Sequence, residues 1–412
     1  MTTLRASLFL FLLSGLVTPV RSQNTVASGP DSVDSLLEDG RRRHQSHLDK
    51  NLLETWDERK AAFAEQTGIS WGSDYSFQTF GASGVPAGAQ GAASSGMFRF
   101  YGKWEVLKPG EPSSGTLNWK LEHRHRYAST PASGFSLNSG NVGVIGPPFS
   151  DQQLRVTNLY WRQGIGDRVV AYVGFLDVTD FVDAWALASP WTGYTNLAFS
   201  TGAASMALPN DASLGAMLSG WLSDNVYLTG SIADMNSNPR DPFEGFNTFF
   251  NRNEYFKSLE LGWTTAKDRF FADNVHLTLW HVDAVAATGT LDGWGVNFSA
   301  AHWVDDTWMP FVRAGWAEDG GSLLETSINA GVAMPAGKDS DDLFGAGVHW
   351  GRPNATTFGP GLGDQTSIEL FYRAQVTQNF RLTPSLQLLF DPALNPAQDL
   401  VPVIGVRGVM TF

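Results

Sequence analysis

The feature that most constrains this chain is a two-residue alternation of apolar and polar side chains that runs from Ile69 to Phe412. Glycine, proline, asparagine and aspartate interrupt it at intervals, as they do at turns between strands. The pattern predicts about sixteen strands of roughly ten to fourteen residues, enough for a tilted strand to cross a bilayer. The expected spans are 69–80, 96–107, 115–128, 152–163, 167–178, 212–222, 225–234, 253–265, 273–284, 292–303, 306–316, 325–334, 342–350, 366–376, 380–390 and 402–412.

The connections between the expected strands alternate in length. Even-numbered connections such as 164–166 and 223–224 are short, whereas odd-numbered connections such as 129–151 and 179–211 are long. A bacterial outer-membrane barrel has this asymmetry because its periplasmic turns are short and its external loops are long. We therefore expect residues 69–412 to form an all-β, transmembrane, antiparallel up-and-down β-barrel.

The segment Leu117–Tyr127 (LNWKLEHRHRY) shows what the two faces of a strand carry. Because a pleated strand sends successive side chains to opposite faces, one face is apolar and aromatic and the other holds charges of both signs. We expect the charged face to line a water-filled lumen and the apolar face to contact lipid. A soluble sandwich would also alternate, so the decision for a barrel depends equally on strand length, strand number and loop asymmetry.

Composition excludes several other classes of protein. The sequence contains no cysteine, so the chain has no disulfide framework, thiolate zinc site or cysteine nucleophile. The formal net charge of -13 argues against a nucleic-acid partner, since phosphate binding needs a basic surface. After the first residues, no stretch approaches the roughly 18 consecutive apolar residues of a transmembrane helix.

The first residues have the pattern of an export signal. Arg5 supplies a positive charge, Ser7–Val17 is apolar and too short to span a bilayer, and small or aliphatic residues precede an expected cleavage after Ser22. We expect a cleavable signal peptide over 1–22, and therefore localisation in the cell outer membrane. The alternative is an uncleaved anchor.

Between the signal peptide and the barrel we expect a periplasmic head, residues 23–68. Its first part, to about residue 45, is polar and is expected to be loose. From Ser46 to Thr67 apolar residues recur near the helical period, and Gly68 is a plausible stop, so this part is expected to be a short amphipathic α-helix.

The chain ends on an alternating strand, VIGVRGVMTF, whose last residue is the aromatic Phe412. Such an ending resembles the assembly signal of bacterial outer-membrane barrels. The resemblance implies that the barrel assembly machinery recognises the strand that ends at Phe412.

The complete pattern resembles the carbohydrate-selective porins of the OprB type over roughly residues 50–412. The motifs that carry the resemblance are the following segments: Trp56–Ile69 (WDERKAAFAEQTGI), Leu159–Gln163, Gly174–Asp177 with Phe181, Gly345–Trp350 (GAGVHW), Glu369–Gln375 (ELFYRAQ), Leu382–Gln387 (LTPSLQ), Asp391–Ala393 with Asn395 and Pro396, and Gly405–Arg407. The most specific motifs lie in the C-terminal third.

This resemblance implies a porin through which carbohydrates diffuse across the outer membrane. About sixteen strands leave a water-filled lumen. Charged side chains and inward-folded loops then set selectivity. By strand face the lumen candidates are mainly basic, so a general or anion-preferring porin stays open as an alternative. A plugged surface barrel acting in adhesion would need a much larger loop or a plug domain, neither of which the sequence contains.

We expect charged side chains on the inner wall and polar or aromatic ones in the long third connection to contact permeating sugars, while lipid and lipopolysaccharide surround the barrel. The candidates are Arg99, Lys103, Glu105, Lys120, Glu122, Arg124, Arg126, Asp177, Trp185, Trp191, Glu369 and Arg373. These residues could equally stabilise the wall or form an aromatic girdle, since charges line every wide barrel.

Catalytic, cofactor and metal sites are not expected. The chain lacks the G-x-S-x-G, H-E-x-x-H and P-loop motifs. His123 and His125 share a strand face, but that face is the lipid or interfacial one. Asp177, Asp180 and Asp183 lack the spacing of a calcium loop, which favours a hydrogen-bonding role at the base of the connection.

Overall fold

A computed structural model describes residues 28–51, 53–337 and 340–412. The signal peptide and cleavage site expected over 1–22 lie outside these residues. The strands are β1 Ile69–Ala82, β2 Ala92–Leu107, β3 Gly115–Arg126, β4 Gln153–Ile165, β5 Val169–Leu176, β6 Ser213–Trp221, β7 Val226–Asp234, β8 Tyr255–Thr264, β9 Asn274–Val282, β10 Gly293–Ala301, β11 Met309–Asp319, β12 Leu324–Pro335, β13 Leu343–Pro353, β14 Gln365–Thr377, β15 Phe380–Phe390 and β16 Leu400–Thr411. The helices are α1 Val33–Asp39, α2 Glu54–Thr67, α3 Phe135–Ser139, α4 Glu244–Arg252 and α5 Ala355–Phe358.

The strands form one closed antiparallel barrel. Each strand pairs with its sequence neighbours, and β1 closes the sheet by pairing with β16 from Asp74 opposite Thr411 to Ala82 opposite Val403. Closure satisfies the backbone hydrogen bonds of both terminal strands, which is what a spanning sheet in lipid requires. The expected fold and strand number are confirmed. Among the described residues, no helix is long and apolar enough to span a membrane.

The two faces of the wall are those expected. On β3 the side chains of Asn118, Lys120 and Glu122 are buried on the inner face, whereas Leu121 is partly exposed on the outer face. Other strands repeat this pattern, with exposed outward side chains such as Leu259, Leu277 and Ile404. The outward apolar side chains form the surface that lipid contacts.

The segment before the barrel differs from the prediction at two places. The expected helix over 46–67 begins only at Glu54, because the backbone N–H groups of His47 and Leu48 instead donate to the carbonyl groups of Gln375 and Val376 on β14. It ends at Gly68 as expected, with φ 72° and an N–H bond to Ala64. Its Trp56 packs edge-on against Trp71 of β1, with ring centroids 5.4 Å apart.

The second difference is α1, in a segment that was expected to be loose. Ser32 caps this helix by accepting from the N–H of Ser35, and Val33, Leu36 and Leu37 are buried beside Tyr101 of β2. A Ser cap followed by apolar residues at helical spacing is a recognisable start signal, but seven residues are too few for the pattern to stand out.

Candidate functional site

The third long connection, residues 177–212, folds into the barrel and is called the constriction loop below. Its aromatic side chains are buried against inward-facing residues of the wall. The ring of Trp185 lies 4.8 Å from that of Phe311 on β11, and the ring of Tyr194 lies 5.0 Å from that of Phe371 on β14. Tyr194 also stacks on Phe199 of the same loop at 4.5 Å. This apolar cluster keeps the loop inside the lumen.

Asp183 fixes the loop to the wall on the side of β9 and β11. Its carboxylate lies 2.7 Å from Nε2 of His276 and also accepts from Nη2 of Arg313. Burial raises the pKa of Asp183, but the charge of Arg313 and the contact with His276 outweigh this effect and lower the pKa to about 2. The loop is therefore held by an ionised carboxylate in a fully buried network.

Glu369 and Arg407 hold the opposite part of the loop. Glu369 of β14 accepts from the N–H and hydroxyl groups of Thr195, each at 2.8 Å, and from the N–H of Asn196 at 3.0 Å. Arg407 of β16 donates to the carbonyl groups of Pro190 and Gly193 at 2.8 and 2.9 Å. Glu369 is a predicted sugar contact, but its carboxylate instead accepts hydrogen bonds from Thr195 and Asn196 of the constriction loop.

The N-terminal segment, residues 28–47, also enters the lumen. The N–H of Gly29 donates to the carbonyl of Asp180 at 2.6 Å, and the hydroxyl of Ser189 donates to Asp31 at 2.7 Å. Asp34 in α1 accepts from Lys103 of β2 at 2.6 Å. The segment thus joins the constriction loop to the wall of β2.

Lys120 of β3 is the centre of an acidic cluster. Its ammonium group lies 2.8 Å from Asp180 and 3.8 Å from Asp177, both in the constriction loop. Asp177 also accepts from the N–H and hydroxyl groups of Thr179, the hydrogen-bonding role expected for it. Burial outweighs the attraction of Lys120 and raises the pKa of Asp180 to about 6; it likewise raises the pKa of Asp31 to about 6 against the charge of Arg99.

A second cluster lies further along β3. Arg124 donates to Glu122 at 2.6 Å and to Asp211 of the constriction loop at 3.0 Å, and Arg155 of β4 lies 2.7 Å from the same Asp211. Arg126 lies at the rim, where it pairs with Asp151 at 3.2 Å and is half exposed. The structure therefore groups Lys120, Glu122 and Arg124 but leaves Arg126 apart from them.

The remaining predicted residues occupy different positions. Glu105 is partly buried at the end of β2, where its N–H bonds to the carbonyl of Gly68. Arg373 of β14 donates to the carbonyl of Thr192 at 3.0 Å. Trp185 is fully buried and donates to the carbonyl of Phe199 at 3.0 Å.

Sequence reasoning missed the acidic partners of the basic wall. Strand alternation assigns side chains only to the strands, so it could not place Asp31, Asp34 or Asp211, which come from the N-terminal segment and the loop. The three-residue spacing of Asp177, Asp180 and Asp183 was the one signal available. Asp177 lies at the base of the loop, whereas Asp183 lies against β9 and β11.

A cavity of about 640 Å³ lies at the end of the barrel that is next to α2. Charged side chains from the N-terminal segment and α2, including Asp39, Arg42 and Lys60, line it together with Trp71 and Phe412. Within residues 28–51, 53–337 and 340–412, no group of three or more His, Asp or Glu side chains is arranged to hold a metal ion.

Comparison with known proteins agrees with this geometry. Residues 273–412 match the family described as carbohydrate-selective porin, OprB family, which confirms the resemblance in the part of the chain with the most specific motifs. The high-pH structure of Pseudomonas putida OprB is similar at TM-score 0.65 and 15% identity, covering 87% of this chain and 97% of that one. A mutant of the Rh. blastica porin is similar at TM-score 0.54 and 13% identity, covering 84% and 100%. No curated protein matches in sequence. The fold of this chain is that of these porins.

Proposed function

We propose that this protein is a diffusion channel for neutral carbohydrates across the bacterial outer membrane. The observation that carries the proposal is the compensation of charge in the lumen. Lys103 pairs with Asp34, Lys120 with Asp180, and Arg124 with both Glu122 and Asp211. Such pairing cancels the field of one sign that would otherwise favour ions of the opposite charge in the lumen.

The family match over 273–412 supports the same substrate class. A general or anion-preferring porin remains the second candidate. The argument for it is the excess of basic residues on the lumen face, which was counted on the strands alone. Asp31, Asp34 and Asp211 from outside the strands reduce that excess. The neutral-solute channel is therefore favoured.

Within this proposal the residues divide into two roles. Trp185, Glu369 and Arg373 hold the constriction loop, as their buried contacts with its backbone indicate. The other predicted residues belong to the wall and the loops that surround the path of the sugar, and several of them are buried there: Arg99, Lys103, Glu105, Lys120, Glu122, Arg124, Arg126, Asp177 and Trp191. The proposal also includes export by a signal peptide over 1–22 and recognition of the strand ending at Phe412 by the assembly machinery. It places residues 23–68 on the periplasmic side, from which residues 28–47 extend into the lumen.

Swelling of proteoliposomes tests this function. Vesicles of phosphatidylethanolamine and phosphatidylglycerol carrying the folded protein are diluted into isosmotic glucose, maltose or sodium gluconate. Heat-denatured protein is the control. Faster swelling in the sugars than in gluconate supports the proposal. Entry of gluconate as fast as glucose supports the anion-preferring channel instead, and an absence of swelling in every solute contradicts both.

A further inference from the structure

The helix α4, in the connection between β7 and β8, lies against the outside of the barrel wall. Phe175 of β5 shares its strand face with Val173, and Leu214 of β6 shares its face with Leu218; Val173 and Leu218 are exposed outward side chains. Phe175 and Leu214 are nevertheless buried. The difference arises because α4 covers them.

Aromatic contacts define how α4 sits on the wall. The rings of Phe243 and Phe246 each lie 5.5 Å from the ring of Phe175. Phe249 packs on the same outward cluster. A Cβ atom added to Gly245 would lie 3.2 Å from the Cβ atom of Leu214, so the helix backbone approaches the strand closely at this glycine.

Polar contacts fix α4 at its inner side. Thr248 lies on the buried face of α4, and its hydroxyl donates to the buried carboxylate of Asp234 at the end of β7. The hydroxyl of Tyr255 on β8 donates to the carbonyl of Phe249 at 2.7 Å. The helix is therefore part of the wall and not a free loop.

Despite this packing, α4 and its N-cap residue Phe243 leave a row of phenylalanine rings uncovered. Phe243, Phe246 and Phe250 are 64%, 50% and 66% exposed, and their spacing of three and four residues places them in one stripe. Asn247 and Asn251 are exposed on a neighbouring stripe, and Asn251 donates to Asn247 at 2.6 Å. The helix thus has a wall face, an aromatic stripe and a polar stripe.

We infer that α4 is an interfacial helix that inserts Phe243, Phe246 and Phe250 among the acyl chains of the outer-leaflet lipid. The stripe is continuous through Phe175 with the outward face of β5, where Val173 is exposed to the hydrocarbon region. Amphipathic helices with phenylalanine on one face bind at the boundary of headgroups and acyl chains, and aromatic rings are enriched there. The inference requires only that the barrel lies in a membrane, and it is independent of which solute passes through.

Spin labelling tests the inference directly. Because the sequence contains no cysteine, a single introduced cysteine is the only residue that the spin label modifies. Phe250→Cys and Phe246→Cys carry the label in the aromatic stripe, and Asn251→Cys is the matched control one residue away in the polar stripe. Each folded full-length variant is reconstituted in vesicles of phosphatidylethanolamine and phosphatidylglycerol. Collision of the nitroxide with oxygen is then compared with collision with a water-soluble nickel chelate.

The expected result is that oxygen collides with labels at 246 and 250 several-fold more often than the nickel chelate does, with the order reversed at 251. Equal exposure of 250 and 251 to nickel would overturn the inference, because the stripe would then face water. Dipolar broadening between labels at 250 would also overturn it, since a second copy of the chain would cover the stripe. If one stripe variant fails to give heat-modifiable folded protein, the other decides the test.

Discussion

The guanidinium carbon of Arg99 on β2 lies 4.1 Å from the ring centroid of Trp191 in the constriction loop. The same guanidinium group donates from Nε to Asp74 of β1 at 3.0 Å, and its Nη2 lies 2.9 Å from that carboxylate. A buried ion pair of the wall is thereby stacked on the loop that narrows the lumen. Two of the residues expected to contact sugar, Arg99 and Trp191, are thus in contact with each other.

Trp191→Ala is expected to increase single-channel conductance, because it removes a large ring between the loop and the wall. It should also lower the free energy of unfolding, by about 0.5–2 kcal/mol for the lost cation–π contact and by up to about 3–5 kcal/mol in all once the lost packing of a buried Trp side chain is included. Trp191→Phe keeps a ring over Arg99 and is the control. Planar-bilayer recording and thermal unfolding measure the two effects. Unchanged conductance in Trp191→Ala would place this ring outside the narrow part of the channel.

Asp183→Asn should loosen the constriction loop. The substitution removes the charge that compensates the buried Arg313, and breaking such a pair costs about 3–5 kcal/mol. The temperature at which the folded band disappears in a heat-modifiability gel should fall, and protease should cut within 177–212. Asp224→Asn, in an exposed turn where Asp224 pairs with the half-exposed Arg168, is the control and should behave as the native protein.

Ion selectivity should depend on pH through the residues around Lys120. Because the pKa of Asp31 and that of Asp180 are raised to about 6, both carboxylates are charged at about pH 8 and take up protons as the pH falls to about 5. Loss of negative charge beside Lys120 and Arg99 should shift the reversal potential in a salt gradient toward anions. Asp180→Asn should show a smaller shift. A reversal potential that is the same at both pH values would show that these groups do not titrate in this range.

The two faces of β3 can be separated by a pair of variants. Leu121→Arg places a charge on the lipid side at a cost of roughly 2–4 kcal/mol near the midplane, so less folded barrel is expected. Arg124→Gln removes one charge of a buried cluster but keeps an amide donor for Glu122, and Arg155 still pairs with Asp211. The barrel should therefore assemble, with a lower thermal stability, while the reversal potential shifts toward cations. Yields from outer membranes and reversal potentials provide the readouts. Normal folding of Leu121→Arg together with loss of folded Arg124→Gln would invert the assigned faces.

The strands of the wall could be predicted from the sequence because the alternation of inward and outward side chains is a local property of each strand. Each strand alternates on its own, so the outward position of Leu121 and the inward positions of Lys120 and Glu122 follow from parity alone. All sixteen strands overlap their expected spans. The antiparallel pairing of β1 with β16 follows from the even strand number once the sheet closes.

The contents of the lumen could not be predicted in the same way. Which wall residue meets Asp34 or Asp211 depends on the path of segments that have no periodic pattern. Trp185 and Glu369 were recognised as inward residues, but only the folded loop shows that Glu369 accepts from the backbone of Thr195 and Asn196. The covering of Phe175 by α4 likewise depends on the β7–β8 loop, which reaches back past β6 to β5.

The most direct test of the sugar channel is single-channel conductance in a planar bilayer during titration with a neutral sugar. The account predicts that glucose or maltose reduces the ion current in a concentration-dependent and saturable way, since a sugar that occupies the narrow part of the lumen beside the constriction loop displaces ions from it. A strongly anion-selective current that no sugar reduces would contradict it.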